Sequence, residues 1–171
     1  MCIVCYLSTD RVIEDIPFNE NDRKFNIQRT EERSIHLTKQ FVYYCGSSQS
    51  CGCGFGRMHI TEDILLKTEQ ELREGELSNE TALLWWDQAE PPPKDKSDFD
   101  EIAKEIRESH QDTLALYHLI EETRQAGFDC ELLVCYSGSE NDEIDVMDEV
   151  HQDVDFKAAW DEVLLYHFVK S

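Results

Sequence analysis

One long stretch of helical spacing limits the folds open to this chain more than any other feature. Between residues 99 and 120, apolar and weakly polar residues recur at the spacing that places them on one helix face. These positions are Phe99, Ile102, Ala103, Ile106, His110, Thr113, Leu114, Tyr117 and Ile120. Ser97 with Asp100 resembles a capping box at the start, and Gly127 suits the C-terminal end. A helix of about 28 residues is about 42 Å long, so it must lie across a sheet or bend around a core.

Strand patterns lie on both sides of this helix. Three short apolar runs rich in β-branched and aromatic residues predict buried strands at 2–7, 41–45 and 130–136. The alternation at 25–28 predicts a half-buried strand, and the last eight residues suit another. Two shorter helices are expected, one over 62–73 capped by Thr61 and one from a cap at Asn79 through Trp86.

This order of elements predicts an α+β fold rather than a regular βαβ series. We expect a small mixed or antiparallel sheet packed against one long helix and one or two shorter helices. A length of 171 residues is typical of a single globular domain, here 1–171. Pro91, Pro92 and Pro93 predict an extended connector at about 90–97 within it.

The charge of the chain narrows its partners. A formal net charge of −21 repels nucleic acid and anionic membrane surfaces, so neither is expected as a partner. It favours a basic protein partner. Residues 138–155 hold eight acids and no Lys or Arg, which predicts a solvated loop, and the EF-hand calcium pattern is absent there.

The cysteines indicate a reducing compartment. Seven is an odd number, and the apolar run at 2–7 is too short and lacks the basic lead of a secretory signal. No stretch approaches the length of apolar residues that a membrane helix needs. The sequence therefore predicts a cytoplasmic protein that is neither secreted nor integral to a membrane.

The segment at 45–57 is the candidate functional site, because four of the seven glycines and two closely spaced thiols lie in it. Its candidate residues are Cys45, Cys51, Gly52, Cys53, Gly54 and Arg57. Thiolates bind zinc tetrahedrally, so Cys51 and Cys53 are candidate metal ligands. Cys45, Cys2, Cys5 or His59 would have to complete the set.

Three other interpretations of this loop stay open at the level of sequence. A Cys-Gly-Cys dithiol can cycle through a disulfide, with Arg57 as the nearby cation. A glycine loop between a strand and a helix can hold an anion, although the glycines at 52, 54 and 56 do not match the dinucleotide or P-loop patterns. The loop can also be purely structural, with glycines at positive φ and cysteines packed as small hydrophobes.

The N-terminal Met1-Cys2 pair raises a further alternative, because a cysteine freed at the N-terminus can act as a nucleophile. Ile3 departs from the Met-Cys-Gly start that amidotransferases of this kind carry. The preferred hypothesis is a non-enzymatic, cofactor-free regulatory module that binds a protein partner through its acidic surface. The alternative is a cysteine-loop protein that binds zinc or performs thiol chemistry; whether the chain is an enzyme, and its oligomeric state, stay open.

Overall fold

The computed structural model describes residues 2–32, 34–56, 60–88, 90–149 and 162–170. For residues 146–149 the structure describes the backbone alone. The described residues form one six-stranded sheet and three α-helices.

The sheet has the strand order β2-β3-β1-β4-β6-β5. Four of the five pairs of neighbouring strands are antiparallel, while β5 pairs with β6 in parallel, so the sheet is mixed. The strands are β1 (Ile3–Thr9), β2 (Asn26–Thr30), β3 (Phe41–Gly46), β4 (Cys130–Tyr136), β5 (Val146–Glu149) and β6 (Leu164–Phe168).

The three helices lie between β3 and β4 in the chain. They are α1 (Glu62–Glu74), α2 (Asn79–Asp87) and α3 (Lys96–Gln125). One helix is long and two are shorter, so the predicted α+β fold is confirmed. No helix among the described residues is long and apolar enough to cross a membrane.

Strand β1 lies at the centre of the fold, because it pairs with β3 on one side and with β4 on the other. All seven of its residues are buried, as expected for a strand covered on both faces. Cys5 and Leu7 pack in the same core cluster as Leu116 and Ile120 of α3. Val4 belongs to a second cluster, so alternate residues of the strand serve different cores.

Helix α3 also serves two cores. Its first half packs with α1 and α2 around Trp85, which is fully buried. Its second half covers the sheet through Leu116 and Ile120. The predicted buried face is therefore wrong at Leu114, which is 45% exposed, while Leu116 is fully buried. A single helix face predicted over 99–120 misses this change, because the helix contacts different partners along its length.

The cap of α3 also differs from the predicted capping box at Ser97. Asp95 has extended backbone angles, and its carboxylate accepts hydrogen bonds from the N–H groups of Ser97 and Asp98, both at 2.9 Å. A carboxylate can cap a helix as well as a hydroxyl does. The helix therefore begins at Lys96, so the irregular connector is shorter than the predicted 90–97. The single-domain organisation over 1–171 stays a prediction.

The caps of the shorter helices differ in detail too. Thr61 occupies the N-cap of α1 without a side-chain cap hydrogen bond. In α2 the cap is Ser78, whose hydroxyl accepts from the N–H of Thr81 at 3.2 Å, and Asn79 is the first helical residue. Trp85 and Trp86 face different directions as expected, since Trp85 is buried and Trp86 is 58% exposed.

The acidic stretch at 138–155 is not a loop throughout. Val146–Glu149 forms β5, with Val146 opposite Leu164 in a parallel ladder. Acidic side chains do not prevent the backbone of this segment from forming hydrogen bonds with β6. The prediction of a solvated loop is therefore wrong over these four residues. Residues 150–155 lie outside the described part.

Candidate functional site

The loop at 46–56, here called the cysteine loop, is closed by its own hydrogen bonds. The N–H and hydroxyl of Ser47 both donate to the carbonyl of Cys51, at 3.0 and 2.8 Å. The N–H of Phe55 donates to the carbonyl of Gly52 at 3.1 Å and closes a short 3-10 turn, Gly52–Gly54. Ser50 adopts a φ of 63°. This internal bonding defines one loop shape.

Hydrogen bonds also tie the cysteine loop to two neighbouring elements, α3 and β2. Asp112 and Thr113 of α3 accept from the N–H groups of Ser48 and Gly56, at 2.7 and 3.0 Å. The Asn26 amide of β2 donates to the carbonyl of Ser47 at 2.9 Å. The loop is therefore held between the sheet and α3.

The loop glycines are needed for close approach rather than for an unusual backbone angle. A Cβ on Gly52 would lie 3.0 Å from the carbonyl oxygen of Ile3, and one on Gly54 would overlap the hydroxyl of Ser47. The expectation of positive φ at these two glycines is wrong, since the loop places positive φ at Ser50 and Gly56. Close packing brings the 3-10 turn against the start of β1.

This approach assembles three thiols. The sulfur atoms of Cys2, Cys51 and Cys53 all lie within 4.8 Å of one another. Cys53 and Cys51 are half-buried, and Cys2 is exposed. The N–H of Ile3 donates to the Cys53 sulfur at 3.1 Å, which orients that sulfur beside the first strand. The predicted ligands Cys51 and Cys53 therefore have a third partner in Cys2.

Cys45 and Cys5 do not join this cluster. Cys45 and Cys5 are fully buried in the core between the sheet and α3. Arg57 and His59 lie outside the described residues. From the sequence alone, Cys2 could not be preferred to Cys5 or Cys45 as the third ligand. A sequence carries no information on the distance between residues that are about 50 positions apart.

Burial and neighbouring thiols perturb the site. The pKa of Cys51 is raised to about 12, mainly by burial, with further contributions from the Cys53 side chain and Cys2; a backbone hydrogen bond from Cys53 acts in the opposite direction. The pKa of nearby Tyr44 is also raised to about 12, mainly by burial and next by the electrostatic effect of Cys51. A protonated thiol is a weak nucleophile, so Cys51 is poorly suited to thiol exchange at neutral pH in the metal-free protein.

The spacing of the sulfurs suits a thiophilic ion. Zinc binds thiolates at about 2.3 Å with tetrahedral angles, which places ligand sulfurs about 3.8 Å apart. Three sulfurs within 4.8 Å of one another are close to that spacing. Three protein ligands leave a fourth position for water or another donor.

The comparisons with known proteins give no relative. No protein-family model, curated protein or solved structure matches this chain. The α+β fold therefore defines the class of the protein, and support for a function comes from the residues of this chain.

Proposed function

We propose that this protein binds a zinc ion through Cys2, Cys51 and Cys53. The single observation that carries the proposal is the convergence of the three sulfurs to within 4.8 Å. Bound zinc would link the cysteine loop to the chain preceding β1, and metal-binding energy would then add to the stability of that contact. The proposed role is a structural or regulatory metal site.

The geometry favours metal binding over dithiol redox chemistry. A disulfide needs two sulfurs and gives the third no role, whereas a zinc site uses all three. The raised pKa of Cys51 also disfavours a reactive thiolate in the metal-free protein. A zinc ion displaces thiol protons when it binds, so a raised pKa does not prevent Cys51 from binding the metal.

Metal content tests this proposal directly. The full chain, purified without chelator, should carry one zinc per chain by elemental mass spectrometry. Cobalt should replace zinc and give the charge-transfer absorption of thiolate ligands. Cys2→Ser, Cys51→Ser and Cys53→Ser should each abolish that absorption, while the matched control Cys130→Ala, a buried cysteine of the core, should retain it. Metal-free protein that gives no thiolate absorption with cobalt would reject the site.

We propose a second function, the binding of a basic protein segment by the exposed face of α2. The favouring observation is an apolar pair one turn apart, Leu83 at 59% and Trp86 at 58% exposure, on a chain with a net charge of −21. Aromatic residues often anchor interfaces, and complementary charge speeds association. The occupant is therefore a cationic segment with an apolar face.

A synthetic amphipathic peptide of alternating lysine and leucine provides a defined probe for this face. Its affinity should fall as salt rises, and Trp86→Ala should weaken it more than Val169→Ala, an equally exposed apolar residue elsewhere. Binding that is insensitive to salt and to Trp86→Ala would contradict this second function.

A further inference from the structure

A pocket separate from the three thiols lies between α3 and the chain preceding β2. Its volume is about 340 Å³, within the range of small-molecule sites. Ile16, Phe25 and Ala115 provide apolar walls. Ser48 of the cysteine loop and Asp112 of α3 also line it.

Asp112 is the unusual member of this lining, because it is only 2% exposed. Its Oδ2 accepts a hydrogen bond from the N–H of Ser48 at 2.7 Å. No other hydrogen bond or ion pair joins its carboxylate to a described residue. A buried carboxylate is costly unless further donors or a cation offset its desolvation. A ligand that brings a positively charged donor into the pocket would supply that partner.

Three further charged side chains line the pocket. Arg23 and Lys24 are exposed cations, and Glu108 of α3 pairs with Lys104 at 3.7 Å. Lys24 pairs with Asp22 at 2.7 Å, whereas Arg23 forms no ion pair with any described residue. Guanidinium groups bind carboxylates well. The lining thus offers a buried anion, an available cation and apolar surface between secondary-structure elements.

We infer that this pocket binds an α-amino acid with an apolar side chain. The ammonium group of the ligand pairs with Asp112, and its carboxylate pairs with Arg23. The apolar side chain lies against Phe25 and Ala115. A simple amine lacks the carboxylate that Arg23 binds, and a simple carboxylate lacks the ammonium group that pairs with Asp112. The zwitterionic amino acid is therefore preferred over both.

Calorimetric titration of the full chain tests this inference with three probes of one shape: L-phenylalanine, phenethylamine and 3-phenylpropionate. Phenylalanine should bind saturably and at least about tenfold more tightly than either analogue. Asp112→Asn keeps an oxygen for the Ser48 N–H and removes the charge, so it should weaken phenylalanine binding by about tenfold or more. Arg23→Gln should lower the affinity for phenylalanine to that for phenethylamine and leave phenethylamine binding unchanged.

A second variant keeps the test valid if Asp112→Asn fails to fold. Ala115 is half-buried at the pocket wall, so Ala115→Trp should fill the pocket and abolish binding while far-UV circular dichroism stays unchanged. Cys51→Ser should bind phenylalanine like the wild type, which separates this inference from the zinc site. No saturable binding up to about 10 mM, equal affinity for either analogue, or unchanged binding by Ala115→Trp would overturn it.

Discussion

The main-chain N–H of Ile3 donates a hydrogen bond to the sulfur of Cys53 at 3.1 Å. This contact joins the first residue of β1 to the 3-10 turn of the cysteine loop. Gly52 lies against the carbonyl of the same Ile3, so one residue of the central strand meets the loop through both of its backbone polar groups. The thiol cluster therefore lies beside β1, a strand whose residues are all buried.

Removal of metal should destabilise the wild type and leave the cysteine variants unaffected. A ligand that binds only the folded state stabilises it, by about 2.7 kcal/mol at a concentration of one hundred times its Kd. Thermal unfolding of zinc-loaded protein with and without chelator measures this effect. Cys51→Ser and the double variant with Cys53→Ser should unfold at nearly the same temperature in chelator and in zinc. Additive losses from the two single substitutions would indicate independent packing roles instead.

Gly54→Ala should destabilise the protein more than Gly75→Ala. The new Cβ at residue 54 meets Ser47, whose hydroxyl closes the loop, and overpacking of this kind costs about 1–3 kcal/mol. Gly75 has open space around it but a φ of 136°, so its cost arises from backbone strain alone. Urea unfolding gives both free energies, and cobalt binding gives a second readout. Only Gly54→Ala should also reduce cobalt affinity; an intact site in that variant would contradict the close-packing argument.

Leu116→Ala should cost about 2–5 kcal/mol of unfolding free energy, because Leu116 is fully buried between α3 and the sheet. Leu114→Ala removes the same atoms from a residue that is 45% exposed, so it should cost much less. The pair is matched in chemistry and differs in burial. Chemical denaturation measures both, and equal costs would show that the buried face of α3 is misassigned.

Asp95→Ala should lower stability by about 1 kcal/mol through loss of the α3 cap. Ser97→Ala, at the position that the sequence pattern favoured, should change stability little because Ser97 supplies an N–H to the cap and not an acceptor. Urea midpoints of the two variants distinguish the alternatives. A larger effect at Ser97 would restore the capping box.

Glu131 should make stability depend on pH. Burial acts to raise its pKa, but hydrogen bonds from Thr38 and Ser8 outweigh burial, so the pKa in the folded state is lowered. A lowered folded pKa contributes stability that is present above the unfolded value of about 4.3 and is lost as pH falls through the folded pKa.

The variant Glu131→Gln tests this dependence, because it keeps acceptor capacity and removes the charge. It should cost about 1–3 kcal/mol at neutral pH, and the difference from wild type should shrink as pH falls below about 4. Glu74→Gln, an exposed control, should show no such trend. A constant difference across the acidic range would mean that the ionised form of Glu131 contributes nothing to stability.

The positions and types of most elements were predictable from local pattern. The continuous apolar runs of β1, β3 and β4 and the 3.6-residue spacing in α3 depend only on neighbouring positions in the chain. The helix caps were less predictable from the sequence. Ser78, Asp95 and Ser97 are all of residue types that can cap a helix, and the local backbone geometry at each helix start decides which residue does so. Strand β5 escaped prediction because its ladder depends on β6.

What the sequence by itself determined is the α+β class, because composition and periodicity are local properties; it also singled out the cysteine loop as a candidate site. Tertiary structure alone decided that Cys2 joins Cys51 and Cys53 while Cys5 and Cys45 lie in the core. The tertiary structure also brought Asp112 into hydrogen-bond contact with Ser48 at the wall of a pocket. Contacts between residues about 50 or more positions apart depend on strand order and helix packing, and no local pattern encodes those distances.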